Sequence, residues 1–413
     1  MPFSFMKFPE KFVRSLGVSL SKAATYYRTF SVIIVNALLL FLLLNLLAQG
    51  YLDFKSARQK SAASSDVATY GHRGYDPSLA SVYPGMDKSQ ISELIKETRK
   101  LSHEYDSYTQ FKERFANGKY VKVDPNGFRN GVKQLPWPPD PEALNIFVFG
   151  GSTTFGYRVA DDDTIPSHLQ DLIGKETDLS AAVYNFGRGG YMSSQERALF
   201  EKLIVQGHAP NIAIFIDGLN EFALPEGEPL HTADLKKLMD NADSSTWDTV
   251  IHELPVMRLL LSFTRGTAAS GAEQENAKDL NRIQYKDKVV KAVLERYRTN
   301  KKMISAVAKT FNVTSVFVWQ PVPTYEYDQE YNIFGKFDYD NKAPLLRAGY
   351  SVMAAEFQTG SLGNNFIWLA DIQRDLKKPL YVDAVHYSGE MCNLIARGIF
   401  SDLRQKGIFS RGE

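Results

Sequence analysis

Two short segments far apart in the chain hold residue types that together can transfer an acyl group. One is GGSTTFG, which carries Ser152; the other is VDAVHYS, which carries Asp383-x-x-His386. A serine hydroxyl ionises far above neutrality, so it attacks a carbonyl only with a base in hydrogen-bond reach. Histidine, titrating near about 6.5, suits that task, and a carboxylate beside it fixes its tautomer and stabilises the imidazolium. His72, His103, His168, His208, His231 and His252 lack a comparable carboxylate beside a strand-end loop and read as surface or structural residues.

Two further segments hold groups suited to an oxyanion. NFGRGGY places glycines at 187, 189 and 190, where backbone N–H groups can approach a ligand closely. DGLNEF ends in Asn220-Glu221-Phe222, and the Asn220 amide can donate. Each is ambiguous singly. Gly-Gly-Ser also suits a plain turn or N-cap, the glycine run a flexible turn, and Asn220 a helix cap. Asp161-Asp162-Asp163 is a carboxylate run, but consecutive residues point in different directions, so a solvated turn is expected and no metal. Cys392, the one cysteine, excludes an internal disulfide and reads as a small core hydrophobe.

The elements that must position these residues are legible as a rhythm. NIFVFG (145–150), AAVYNF (181–186), NIAIFID (211–217), TSVFVWQ (314–320) and NFIWLA (365–370) are short apolar runs of the kind found in buried parallel strands. Helical patterns alternate with them: Ser194–Gly207, Arg282–Phe311, Leu345–Phe357 and Ser388–Leu403. Ser193 with Glu196 fits a capping box at the first of these. Strands alternating with helices predict βαβ units, hence an α/β fold with a mostly parallel, doubly wound five-stranded sheet. Ligands of such sheets bind beyond the carboxyl ends of the strands. Ser152, Gly190 and Asn220 each follow a predicted strand, which puts all three at one edge. Residues 223–280, acidic and rich in Ser and Ala around Trp247, interrupt the rhythm as an insertion, a lid or a surface loop.

Before this domain the texture differs. From Phe30 to Ala48 there are nineteen residues without a charge, long enough to span bilayer hydrocarbon. The run exceeds a signal-peptide core and its exit offers no clear cleavage site, so an uncleaved anchor over 30–50 is expected. Lys7, Lys11, Arg14, Lys22 and Arg28 precede it and Lys55, Arg58 and Lys60 follow, which sets residues 1–29 in the cytoplasm and the bulk outside. Residues 51–140 form a preface: a polar tether at 53–75, a helical pattern over 87–118, and a stiff PWPPDP connector at 136–141. Residues 141–413 form the main domain. The 413 residues carry a net charge of +1, with no basic excess to mark a nucleic-acid partner.

GGSTTFG, NFGRGGY, DGLNEF and DAVHYS, in that order, resemble the four blocks of the SGNH (GDSL-type) hydrolases, over about residues 143–407. The resemblance implies a three-layer α/β/α sandwich. It also implies Ser152 as nucleophile, His386 as base, Asp383 as its support, and an oxyanion hole from the Ser152 and Gly190 N–H groups with the Asn220 amide. Two positions depart from it: Gly151 stands in place of the usual Asp, and Glu221 in place of an acidic Asp. The Gly-x-Ser-x-Gly motif of α/β-hydrolases is absent, Thr154 holding its last position. The expectation is a membrane-anchored ester hydrolase without cofactor, acting on acyl or O-acetyl groups of a surface glycan or lipid. O-acyltransfer to an envelope glycan and a non-catalytic assembly or binding role are the alternatives.

Overall fold

The computed structural model describes residues 10–63, 77–131, 133–242, 254–265, 275–334 and 343–409. Its contacts divide the chain into two units, Met1–Ala63 with Leu238–Glu273, and Ser64–Lys237 with Gln274–Glu413.

The first unit is built on α1, a 54-residue helix from Glu10 to Ala63. Among the described residues it contains the one helix long and apolar enough to cross a membrane, at Lys22–Lys55. The helix does not stop at the end of the apolar run: residues 53–63, expected to be tether, are helical. FKSARQKSAA lacks large aliphatics but is rich in Ala, Lys, Arg and Gln, and those residues favour helix without needing a partner surface. The rest of that expected tether, and Trp247 and much of the insertion, lie outside the described residues.

The second unit holds the sheet. The preface gives α2 (Lys88–Lys100), started by a capping box of Asp87 and Gln90. The helix expected to reach 118 ends there. Two antiparallel strands, β1 (His103–Asp106) and β2 (Gln110–Glu113), replace its second half, followed by the two-residue strands β3 (Ala116–Asn117) and β4 (Lys122–Val123). Turn residues Asp106-Ser107-Tyr108-Thr109, with Tyr108 at φ 71°, break the helical periodicity there.

The five expected strands follow: β5 (Leu144–Gly150), β6 (Ala181–Asn185), β7 (Ile212–Asp217), β8 (Thr314–Trp319) and β9 (Phe366–Trp368). They pair in parallel in the order β6-β5-β7-β8-β9. Between and after them run the helices α3 (Ser152–Phe155), α4 (Ile165–Glu176), α5 (Ser193–Val205), α6 (Leu219–Ala223), α7 (Thr232–Ala242), α8 (Pro255–Arg265, part of the first unit), α9 (Glu275–Thr310), α10 (Ala343–Gln358) and α11 (Gly389–Gln405).

Alternation along the strands sorts side chains to two buried faces. Phe147, Phe149, Phe215 and Phe317 pack with Leu199, Phe200, Val293, Leu294, Leu346 and Tyr350 from α5, α9 and α10. Ile146, Val148, Ile214, Ile216, Val316 and Val318 pack with Leu169, Ile173, Ile395 and Ile399 from α4 and α11. Both faces being covered is why the strands read as continuous apolar runs. The result is the expected three-layer α/β/α sandwich with a doubly wound parallel sheet. The chain enters at β5, winds one way to β6 and then the other way to β7, so a crevice opens between the carboxyl ends of β5 and β7.

Candidate active site

Ser152 is the first residue of α3, directly beyond the carboxyl end of β5. His386 and Asp383 lie in the loop before α11. That loop is closed on itself, with Val382 N–H donating to His386 O (2.9 Å) and Ser388 N–H to Leu380 O (2.9 Å). Ser388 also caps α11 through Met391 N–H. Packing of Met391, Ile395 and Ile399 into the core thus fixes the loop that carries the histidine.

The loop brings His386 Nε2 to 2.9 Å from Ser152 Oγ. On its other side, His386 Nδ1 meets Asp383 Oδ1 at 2.9 Å and Oδ2 at 2.8 Å. A carboxylate only accepts, so Nδ1 carries the proton and Nε2 presents its lone pair to the serine. Asp383 is buried and also accepts from the Val385 and His386 N–H groups. Burial alone would raise its carboxyl, but His386, Arg158 and the Val385 N–H together hold it well below the usual carboxylate range.

Arg158 is a residue the sequence reading missed. Its Nε lies 3.1 Å from Asp383 Oδ2, and it is buried with φ 68°. Its backbone carbonyl accepts from Tyr83 Oη at 2.8 Å. In FGYRVA it looks like any surface arginine; the unusual backbone turn that aims it inward is set by tertiary packing. Tyr157, next to it, stacks on the His386 ring with centroids 5.7 Å apart and planes at 24°.

The glycine loop after β6 is held from both sides. Arg188 N–H donates to Gly150 O (2.9 Å), while the buried Glu113 of β2 accepts from Gly189 N–H (2.7 Å) and Tyr157 Oη (3.3 Å). Arg188 itself pairs with Asp106 Oδ2 at 2.9 Å. Gly190 follows with φ 73°, a left-handed conformation that costs glycine nothing. A Cβ there would lie 2.2 Å from Leu230 Cδ1, so the start of the insertion packs directly over this glycine. Among the described residues, neither Ser152 N–H nor Gly190 N–H donates to a partner.

Asn220, in α6 just beyond β7, donates through Nδ2 to Tyr191 O at 2.7 Å. The amide has two N–H groups, so one remains for a ligand. Its nitrogen stands 2.2 Å from where a Cβ on Gly151 would sit. Asn220 is therefore wedged between the residue before Ser152 and the residue after Gly190. All five expected site residues, Ser152, Gly190, Asn220, Asp383 and His386, occupy this one crevice.

Glu221 ties Asn220 down: its Oε1 accepts from Ser193 N–H at 2.7 Å and its Oε2 meets Arg296 Nη2 at 3.2 Å. The expected capping box of Ser193 and Glu196 does not form. Met192 is the N-cap, the Ser193 N–H is taken by Glu221, and Glu196 is buried beside Asp217 instead. Burial, with each other's charge and that of Glu221, pushes the Glu196 carboxyl well up; burial and Glu221 do the same to Asp217.

Other expectations fare differently. Cys392 is buried in the core as expected. Asp161 is not in a solvated turn: it is buried against Arg129, with Nε to Oδ1 at 3.0 Å, because the Arg129 guanidinium is fully enclosed and requires a counter-charge. His103 and His231, expected to be surface or structural residues, are structural. Their rings meet at 2.9 Å between Nδ1 and Nε2, and His103 lies 4.0 Å from Glu113. His72 and His252 lie outside the described residues.

Comparison with known proteins gives no matching family model and no matching curated protein. Several solved structures are similar in fold. One is a member of the lipolytic protein G-D-S-L family from Veillonella parvula, 11% identical, covering 63% of this chain and 97% of that one, TM-score 0.35. Another is the psychrotrophic esterase EstA from Pseudoalteromonas, 12% identical over 64% and 98%, TM-score 0.33. A third is an acetyl-xylooligosaccharide esterase from Geobacillus, 13% identical over 63% and 94%, TM-score 0.34. The strand order and register above, not these likenesses, define the fold.

Proposed function

We propose that this chain is a membrane-anchored serine ester hydrolase of the SGNH type, with Ser152 as nucleophile, His386 as base and Asp383 as its support. The observation that carries the reading is the continuous relay from Ser152 Oγ through His386 to Asp383, at 2.9 Å and 2.8 Å. Ser152 Oγ attacks the ester carbonyl carbon as its proton passes to His386 Nε2. The oxyanion faces the N–H groups of Ser152 and Gly190 and the free N–H of Asn220, each worth roughly 3 kcal/mol in the transition state. The C–O bond to the leaving alcohol then breaks, and His386 returns the proton to that oxygen. Water repeats the sequence, releasing the acid and restoring Ser152.

The substrate reading is an acyl or O-acetyl ester on a cell-surface glycan or lipid. Its support is the apolar span within α1, with residues 1–29 on the cytoplasmic side and the domain from residue 141 on the far side, by the five basic residues before the run against three after it. O-acyltransfer is the second reading, favoured by Leu230 of the insertion lying over Gly190, where it would shield an acyl-enzyme from water.

The experiment is labelling of the full chain with a fluorophosphonate, paired with hydrolysis of a short-chain aryl ester. Ser152→Ala should lose both signals, His386→Gln should be nearly as damaging, and His208→Gln should keep both. An unlabelled, inactive parent would leave the fold as a non-catalytic scaffold. Retention of the acyl group on an added oligosaccharide, instead of free acid, would establish transfer.

A further inference from the structure

The insertion contributes one helix to the unit built on α1. α8 (Pro255–Arg265) packs against α1, which carries a recessed helical stripe: Asn45, Ala48, Gln49 and Leu52, at i, i+3, i+4 and i+7. Ala48 is buried there, whereas its neighbours Leu46 and Leu47 are exposed at 71% and 62%. Asn45 is one of two asparagines in the apolar run, and its placement has a reason. Its Oδ1 accepts the backbone N–H of Val256 at 3.3 Å, while its Nδ2 donates to Phe41 O at 2.9 Å.

That hydrogen bond bears on the surroundings of α8. The first N–H groups of a helix have no partner within it. Pro255 has no N–H to satisfy, and the next, that of Val256, is taken by a side chain from inside the apolar run. A side-chain acceptor at a helix start stabilises a helix in water as well; in lipid it is obligatory, because an unmet N–H there costs several kcal/mol. Asn45 lies three residues before the end of the run at Ala48, about 5 Å along the helix axis. The amino end of α8 therefore sits at the depth where hydrocarbon meets headgroups.

The sequence of α8, PVMRLLLSFTR, suits that depth. By sequence, Arg258, Ser262 and Arg265 recur at i, i+4 and i+7 as a cationic polar stripe, and Val256, Met257, Leu259, Leu260, Leu261 and Phe263 make up the remainder with Pro255 and Thr264. Leu260 is 55% exposed although its helix is packed on α1, so no other described residue covers this part of the apolar surface.

We infer that α8 is an interfacial membrane helix: it lies against α1 at the boundary of the bilayer, with Leu260 in the acyl region and Arg258 among anionic headgroups. Such helices combine an apolar face in the acyl boundary with a basic polar face. The insertion is then a second attachment to the membrane. This inference rests on α1 being an anchor.

The test uses the full chain in vesicles of equal parts phosphatidylcholine and phosphatidylglycerol, with phosphatidylcholine brominated on its acyl chains as quencher. Bimane is attached in Leu260→Cys, Arg258→Cys and Leu42→Cys. Cys392 is buried, with its thiol pushed up by burial, and is left in place as unreactive or replaced by Cys392→Ser if the parent takes up label. The expected result is a blue-shifted Leu260→Cys label quenched severalfold more than that of Arg258→Cys, together with strong quenching of Leu42→Cys. A water-like, unquenched Leu260→Cys label alongside a quenched Leu42→Cys label would overturn the inference and leave the anchor standing. An unquenched Leu42→Cys label would overturn both. Blue-shifted Leu260→Cys emission that responds to protein density but not to brominated lipid would assign the cover to a second copy and overturn the inference.

Discussion

Gly151→Ala is a one-carbon change whose effect can be worked from the geometry. The added Cβ would lie 2.2 Å from Asn220 Nδ2, about 1.2 Å short of the 3.4 Å at which ordinary contact begins, and 3.2 Å from Tyr191 O. Asn220 has nowhere near to retreat, because its Nδ2 is held by Tyr191 O at 2.7 Å and the residue is buried. The amide must swing out of the crevice and take its free N–H with it. Loss of one oxyanion donor lowers kcat by roughly 10²–10³, or about 2.7–4 kcal/mol. KM should stay within a few-fold, because the lost contact acts in the transition state. Asn220→Ala should cost the same, and the double variant Gly151→Ala/Asn220→Ala should cost no more than either single change, since both act through one group. The assay is p-nitrophenyl acetate hydrolysis by the full chain in detergent, kcat and KM measured separately, with circular dichroism melts to show that each variant is folded. A Gly151→Ala enzyme within twofold of the parent, or a double variant that falls by the product of the two losses, would refute the reasoning. Gly151→Asp, which installs the residue the SGNH resemblance leads one to expect, should damage this chain and not improve it.

Two further outcomes follow from buried charge. Replacing Arg158 by Met leaves Asp383 without its buried ion pair, and a broken buried pair costs about 3–5 kcal/mol. Asp383 is held below its unfolded value of about 3.9, so its contribution to stability is present above that pH and lost as pH falls through the depressed folded value. Arg158→Met should therefore move the acid-unfolding midpoint, followed by far-ultraviolet dichroism, to higher pH; an unchanged midpoint would deny Arg158 this role. The Glu196 carboxyl has the opposite sign: its folded value is raised, so stability is full below about 4.3 and is lost as pH rises towards the folded value. Glu196→Gln should melt above the parent by a margin that widens from about pH 4.5 upward, by up to about 1.4 kcal/mol per pH unit. A margin that does not vary with pH would contradict this.

The sheet was legible because burial on both faces turns each strand into an apolar run, as in NIAIFID and TSVFVWQ, and because parallel strands require intervening helices. That Ser152, Gly190, Asn220, Asp383 and His386 gather at one crevice was legible from their position relative to those strands and their order along the chain. What escaped the sequence reading depends on contacts made across long separations. Arg158 acquires its role from a positive φ and a carboxylate more than two hundred positions away. Glu113 reaches the glycine loop from a hairpin whose four-residue strands are too short for a period-two pattern to outweigh a helical one. Glu196 matched a capping box by spacing, but Glu221 took the N–H that would have completed it. α1 overran its expected end because helix propensity alone carries KSARQKSAA onward.

Ser152 and His386 stand 234 positions apart, with the loop from Leu380 to Ser388 close to the carboxyl end. A ribosome adding about 5–20 residues each second produces Ser152 tens of seconds before His386. During that interval Ser152 stands without the imidazole that its hydroxyl meets in the folded domain. Any chemistry that needs the pair is thus deferred by synthesis itself. The converse also holds. The last of the five sheet strands ends at Trp368, so a protease that clipped the chain between there and Leu380 would take away His386 while leaving all five strands in place.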